Sequence, residues 1–450
     1  MKSRLTKHVR DLAGDQAGGI TAFALLILLA CLMMGGLAVD YANAIAARTR
    51  LQVTADTVAH AALYSRELKS ADEARQIALQ LAADNMPPSR YGTVLTADDI
   101  RFGRWDETRH QFIADPAARD AVLVTTRQAE ANGNGVPVLL LKLAGLNAWN
   151  VTTQSVYTTY YPSCFREGFV AMDRVDMQSN GVFKAGFCIH SQSYVSVSSG
   201  NTFEPGVVVS MPDKRNIDLP ASGFESNTGL AQALRDGSYA PRILNRIDDI
   251  FLGAEEPYDA GVGYMIAGSP YYRDYLDSGN IITVNYKKGI TAGTIQEGRI
   301  HRATCPNSKT HMTIESDAVI REAVLITNCR IQIKAGAVIE DAVILVDNTD
   351  AKSVFASSDI TLGRDDGCAE GGDVQLVTRG GVEFASKVNI YGSQILAAGD
   401  ISMTANADGI EGASIVAGGK LDVTSNGAFG FCNGAGMNNN FEAAYFRLAG

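Results

Sequence analysis

No stretch of this 450-residue chain carries a familiar catalytic signature. There is no G-x-S-x-G, no H-E-x-x-H, no phosphate-binding P-loop, and no G-x-G-x-x-G following a strand. Hydrolase, zincin, nucleotidase and dinucleotide-enzyme readings therefore have nothing to rest on. Histidine is scarce, with six residues (His8, His60, His110, His190, His301, His311) scattered along the sequence. The closest pair in the second half, His301 and His311, is ten apart, too loose for a metal motif. An excess of basic charge is missing too: the net charge is −10, which argues against nucleic acid or anionic lipid as the main partner. Proline is modest, at 12 residues, and charged residues make up only 20%.

One long apolar run is present. Residues 18–39 read GGITAFALLILLACLMMGGLAV, without a charged side chain, between Asp15 and Asp40. As a helix they span roughly 33 Å, about the hydrocarbon thickness of a bilayer. Lys2, Arg4, Lys7 and Arg10 precede the run, whereas Arg48 and Arg50 follow at a distance. That asymmetry predicts a cytoplasmic N-terminus and an exported C-terminal region. A cleavable signal peptide ending near Ala42-Asn43-Ala44 is the rival reading, but the apolar region is longer than a usual signal core.

Cysteine usage agrees with export. Cys31 lies within the apolar run; Cys164, Cys188, Cys305, Cys329, Cys368 and Cys432 lie downstream and could form up to three disulfides, with 15 possible pairings.

After the run, residues 41–69 lack Gly and Pro, and Ala44, Leu51, Ala55, Val58, Ala62 and Leu63 recur at helical spacing. A second helix is expected over 71–86, stopped by Pro87-Pro88. The period then shortens: 100–105, 111–113, 121–126 and 149–160 read as strands, and 136–145 as a short apolar helix.

This N-terminal third resembles the TadG-like family of the Flp (Tad) pilus-assembly system, related to TadE-type pseudopilins. The resemblance rests on the basic leader, on Gly18-Gly19-Ile20-Thr21-Ala22-Phe23-Ala24-Leu25, and on Gly36-Leu37-Ala38-Val39-Asp40-Tyr41. Arg50-Leu51-Gln52-Val53-Thr54-Ala55-Asp56, Phe102-Gly103-Arg104-Trp105-Asp106 and Asn132-Gly133-Asn134-Gly135-Val136-Pro137 follow in order. It implies a non-enzymatic, membrane-anchored envelope protein with pilus-assembly partners. Processed pilins carry a glutamate five residues after the cleaved glycine; here Phe23 or Ala24 stands there, which favours a retained anchor. The D-x-S-x-S metal motif of some TadG-like proteins is absent.

From Phe169 the sequence repeats itself. Residues 169–180 match 415–426, and Gly181-Val182-Phe183 matches Gly427-Ala428-Phe429. Val195 and Val197 lie 20 residues after Val175 and Met177. Leu376, Ile395 and Ile415 are spaced by 19 and 20, and 318–326 matches 337–345 at a spacing of 19. A period near 20 with short Val/Ile strands and glycine turns predicts a β-solenoid.

The expected fold is mixed: a long N-terminal transmembrane, pseudopilin-like helix with a small α+β unit, then a mainly-β parallel β-helix with an irregular insertion. The expected boundaries are a cytoplasmic basic leader (1–17), the membrane helix (18–39), a pilin-like α+β region (40–161), first coils (162–211), the insertion (212–310), the main solenoid (311–434) and a tail (435–450). Within the insertion, 230–251 reads as a helix and 281–286 as a strand.

Neither catalytic residues nor a cofactor are expected. Asp365, Asp366, Glu370 and Asp373 are oxygen donors that could suit Ca²⁺, in a spacing that matches no defined calcium loop. Asp359, Asp365, Asp366, Asp373, Lys387 and Asp400 could form an acid/base face of a carbohydrate-active solenoid. Tyr157, Tyr160, Tyr161, Tyr271 and Tyr272 suit an interaction surface. The expected partners are the bilayer through 18–39, other pilus-assembly or envelope proteins, and a glycan or cell-wall contact. A tethered carbohydrate-binding or carbohydrate-degrading β-helix and a secreted adhesin are the alternatives.

Overall fold

The computed structural model describes residues 19–357, 359–385, 387–403, 408–423 and 425–449. The basic leader (1–17) lies outside these residues. Two units form: residues 1–159 with 446–450, and residues 160–445.

In the N-terminal unit one uninterrupted helix, α1 (Gly19–Arg66), runs through both the apolar run and its alanine-rich continuation. Its first half is bare: Ile20, Phe23, Leu26, Leu32, Met33 and Met34 are all exposed. Its second half buries Leu51, Ala55, Val58, Ala59, Ala62 and Leu63. Small side chains on that face let α2 (Ala71–Asn85) approach with Ala74, Ala78 and Ala82, also buried. Helix α2 starts with a capping box, Ser70 accepting from the Glu73 amide while Glu73 accepts from that of Ser70. It ends just before Pro87, as expected.

The same face of α1 packs on an antiparallel sheet of β1 (Ile100–Asp106), β2 (Gln111–Ala114), β3 (Ala121–Gln128) and β4 (Val151–Tyr160). Its order is β2-β1-β3-β4, and the chain's last strand, Tyr445–Leu448, adds to β4. The sequence predicts a short apolar helix over 136–145. Instead a two-residue strand, Val136–Pro137, precedes a single 3₁₀ turn, Leu141–Ala144, and the amides of Leu139, Leu140 and Leu141 are taken by the Asp40 carboxylate.

The second unit winds through three parallel sheets in turn. Gly168–Ala171 joins the first sheet, Arg174–Met177 the second and Val182–Phe183 the third, before Cys188–Ser191 returns to the first. Most circuits take 19 or 20 residues, the one from Ala342 to Val374 takes 32, and each points one alternating set of side chains inward, as a parallel β-helix requires. The inward columns run without a break, and Phe203, Phe183, Phe429, Ile410, Ile390 and Leu362 line one of them.

The repeated segments turn out to be spatial neighbours. Phe169 pairs with Ile415, Val175 with Leu421 and Phe183 with Phe429. The 318–326 and 337–345 repeats also lie side by side, Ile320 against Ile339 and Ile326 against Leu345. The chain therefore joins the stack in its middle: the coil at 168–183 sits between those at 188–203 and 414–430. The outermost strands of the first sheet are Leu234–Asp236 at one end and Ile282–Val284 at the other. Both come from 212–310, as does Ile300–Ala303, so this segment supplies strands to the stack. A continuous helix over 230–251 does not form. Gly237 and Pro241 interrupt it, leaving Leu230–Ala233, a 3₁₀ turn at Arg242–Arg246 and a helix at Ile247–Glu255.

The three sheets differ in exposure. Second-sheet strands alternate, with Val175, Met177, Val195 and Val197 buried and their neighbours half-exposed. First-sheet strands such as Cys188–Ser191 and Gln394–Ala397 are buried on both faces. Phe165 and Tyr239 stand edge-on to His190, and residues 433–445 run over the sheet as a strap. Gln394 fixes that strap, donating to the Phe441 carbonyl at 3.0 Å and accepting from its amide at 2.8 Å.

Candidate functional site

The six downstream cysteines pair as Cys164–Cys188, Cys305–Cys329 and Cys368–Cys432. The first two tie residues 24 apart; the third ties the 363–373 loop to Cys432, just ahead of the strap. Cys31 is free and exposed on the bare half of α1.

The four carboxylates considered for calcium are not gathered around one point. Asp366 accepts from the Ala369 amide and pairs with Arg364 at 3.0 Å, organising its own loop. Glu370 is exposed. Asp373 is buried and accepts from Gln375 Nε2, the Asn439 amide and Asn439 Nδ2. Burial pushes its carboxyl above the ordinary range, against the pull of Asn439 and of nearby Arg273. Among the described residues, one grouping is close enough for a metal, Cys368, Glu411 and Cys432, and its two thiols are already joined in the disulfide.

The six residues proposed as an acid/base face occupy three different corners of the coil. Asp365, Asp366 and Asp373 lie between the third and first sheets, Asp400 between first and second, and Asp359 and Lys387 between second and third. His301 is buried with its Nε2 accepting from the Gln296 amide, while His311 stands edge-on to Phe355. Tyr271 is buried beside Phe441, whereas Tyr161 and Tyr272 remain about 40% exposed.

A different set converges. On the open face of the second sheet, Asp422 stands in register with Asp176, Asp176 with Ser196, and Ser196 with Asp218. Ser196 Oγ donates to Asp218 Oδ2 at 3.0 Å. Arg174 Nη2 lies 3.4 Å from Asp176 and 3.9 Å from Asp422. Burial raises the Asp176 carboxyl, Arg174 opposes the shift, and Asp422 and Asp218 add to it. The row sets carboxylates on neighbouring strands of the second sheet, with Arg174 near two of them and Ser196 bridging toward the third. Sequence reasoning missed it, although the signal was present: Asp176 and Asp422 occupy equivalent positions in the two segments that match each other.

A second polar feature is a groove of about 360 Å³ lined by Glu297, Arg321, Glu322, Glu340, Asp341 and Arg364. Its ion pairs are internal, Arg321 with Glu340 at 3.1 Å and Arg364 with Glu340 at 3.7 Å. Glu322 and Asp341 turn successive coils there with φ of 43° and 48°, left-handed values rare for side chains other than glycine or asparagine.

A half-bare, half-packed α1 on an antiparallel sheet, followed by a disulfide-tied parallel β-helix, defines a two-unit solenoid protein whose first helix is long and apolar enough to cross a membrane. Residues 168–433 match the family described as a domain of unknown function (DUF7867), and the chain belongs to that family. Residues 18–76 match the family described as Flp pilus-assembly TadE/G-like. That match covers the whole of α1, bare and packed halves alike, and the first turns of α2. No curated protein and no solved structure matches the chain.

Proposed function

We propose that this protein is a non-enzymatic component of Flp/Tad-type pilus assembly. It is retained in the bacterial inner membrane by one helix and presents its β-helix in the periplasm. The observation that carries this reading is the TadE/G-like match on a helix whose first half is bare and whose second half is a core element. Three disulfides in the second unit suit an oxidising compartment. The basic residues before the apolar run favour a cytoplasmic N-terminus. The open face of the second sheet is the surface this reading assigns to assembly partners.

The test is deletion of the coding sequence in a host with a working Tad system, followed by pilus counts and complementation. Loss of pili, restored by the full chain and not by a form lacking residues 160–445, is the expected outcome. Unchanged piliation overturns the proposal.

The Asp422–Asp176–Asp218 ladder favours a second reading, a tethered glycan-binding or glycan-degrading β-helix. Glycan turnover by the protein that disappears in Asp176→Asn would replace the first reading with this one.

A further inference from the structure

A second apolar feature stands beside the last turns of the bare half of α1. Residues 138–146 read VLLLKLAGL, and the side chain of Leu139 is 72% exposed, with Leu140 also open at 37%. Exposed leucines on a loop need a reason, and among the described residues Leu139 is left largely uncovered.

The loop is held where it is. Asp40, itself buried, accepts three backbone N–H groups, from Leu139 at 2.6 Å, Leu140 at 3.0 Å and Leu141 at 2.7 Å. Asn43 Nδ2 donates to the Pro137 carbonyl at 2.9 Å. Leu140 rests on Gly36: a Cβ added there would come within 2.6 Å of the Leu140 Cβ. The contact needs the missing side chain, which gives Gly36 a role within an otherwise bulky apolar run.

Depth then follows from the helix. Gly36 lies three residues inside Val39, about 4.5 Å along the axis. A leucine resting on Gly36 is therefore level with the apolar run and not with the aqueous side of it. Lys142 is exposed on the same loop, where its long stem can carry the charge back to the headgroups.

We propose that residues 138–146 are a second membrane contact, an interfacial wedge that buries Leu139 and Leu140 in the leaflet at the Val39 end of α1. The bilayer is the occupant because the exposed leucines continue the apolar surface of the spanning helix. Asp40 acts as the tether, so the N-terminal unit is fixed to the membrane surface at two points instead of one.

Full-length protein with Cys31→Ala and Leu139→Cys, labelled with an environment-sensitive fluorophore, tests this in phosphatidylcholine–phosphatidylglycerol nanodiscs. Spin-labelled lipids quench a label that reaches about 5–10 Å into the interface. Expected is loss of roughly half the emission at position 139, and none for a label at Lys69→Cys, just past the far end of α1, which lies about 40 Å along the helix axis from Val39. Adding Asp40→Ala is expected to abolish most of the quenching at 139. A label on the native Cys31 checks the span itself. Quenching at 31 with none at 139 overturns the wedge and leaves the anchor standing. Oxidative cross-linking of unlabelled Leu139→Cys into dimers, without quenching, also overturns it and assigns the leucines to a second copy. Unchanged quenching in Asp40→Ala refutes the tether.

Discussion

Replacing Phe183 with alanine is the sharpest probe of the β-helix. Its ring is fully buried and stacked between Phe203, at 4.9 Å, and Phe429, at 4.5 Å. Phe203 belongs to the next coil in sequence, but Phe429 lies 246 residues away. The ring therefore joins the early coils to the late ones. Burying a phenylalanine removes about 150–250 Å² from water, worth roughly 4–6 kcal/mol at about 25 cal/mol per Å². Partial collapse of neighbours brings the expected cost to about 4 kcal/mol, within the range for buried Phe→Ala changes. That is close to a thousandfold in the opening equilibrium of the seam. Urea unfolding of the full chain in detergent, followed by the β signal in circular dichroism, reads the loss. Limited proteolysis under native conditions is expected to cut first near 183 and 429, because nearest-neighbour coupling localises the damage. Phe183→Leu, which keeps most of the apolar volume, should lose only about 1.5 kcal/mol. Phe102→Ala, in the N-terminal unit, should leave the β transition where it is. A loss below about 1 kcal/mol for Phe183→Ala, or cleavage confined elsewhere, refutes the argument that the seam depends on this stack.

Two further outcomes follow from buried charge. Glu167 accepts from the amides of Cys432 at 2.5 Å and Gly434 at 3.1 Å, yet burial raises its carboxyl above the ordinary value. The folded state thus holds its proton more tightly than the unfolded chain, and this residue's contribution is full below about pH 4.3 and falls as pH rises through the shifted value. Glu167→Gln should remove that slope, measured as the difference in unfolding midpoint across pH 4 to 8 on the order of its shift. Arg273 donates to the carbonyls of Tyr271, Tyr272 and Asn439 and lies 4.5 Å over the Phe441 ring, near Asp373. Arg273→Ala strips those carbonyls of their donor and removes the positive charge near Asp373, which keeps its bonds to Gln375 and Asn439, an expected loss of about 2–4 kcal/mol and release of the strap to protease. An unchanged melting temperature refutes the assignment.

Much of this was legible in the sequence because periodicity reports burial. The apolar run and its alanine-rich continuation gave the right helix, since small residues at helical spacing are what a packed face needs. The 19- and 20-residue repeats identified residues that pair across neighbouring coils. What stayed hidden was connectivity. The match of 169–180 with 415–426 looked like one more repeat, while in the fold it marks where early and late coils meet in the middle of an open stack. The Asp176–Asp422 ladder was missed for that reason: the match that aligns the two residues reads as a repeat and not as a contact. The short helix expected over 136–145 failed differently. Its apolar residues respond to the end of α1 and the Asp40 carboxylate, and not to a helix of their own.

The closing of the coil at 168–183 against the one at 414–430 also has a meaning in time and in descent. A ribosome or export channel releases the first coils long before the strands that flank them, so one face of the opening coil waits for a partner more than two hundred residues behind it. Growth of the stack is constrained likewise. New coils cannot be added at either terminus, because both outer strands arise from the middle of the chain. Length has to be gained or lost between residues 211 and 300, where a change alters the reach of the stack and leaves its seam untouched.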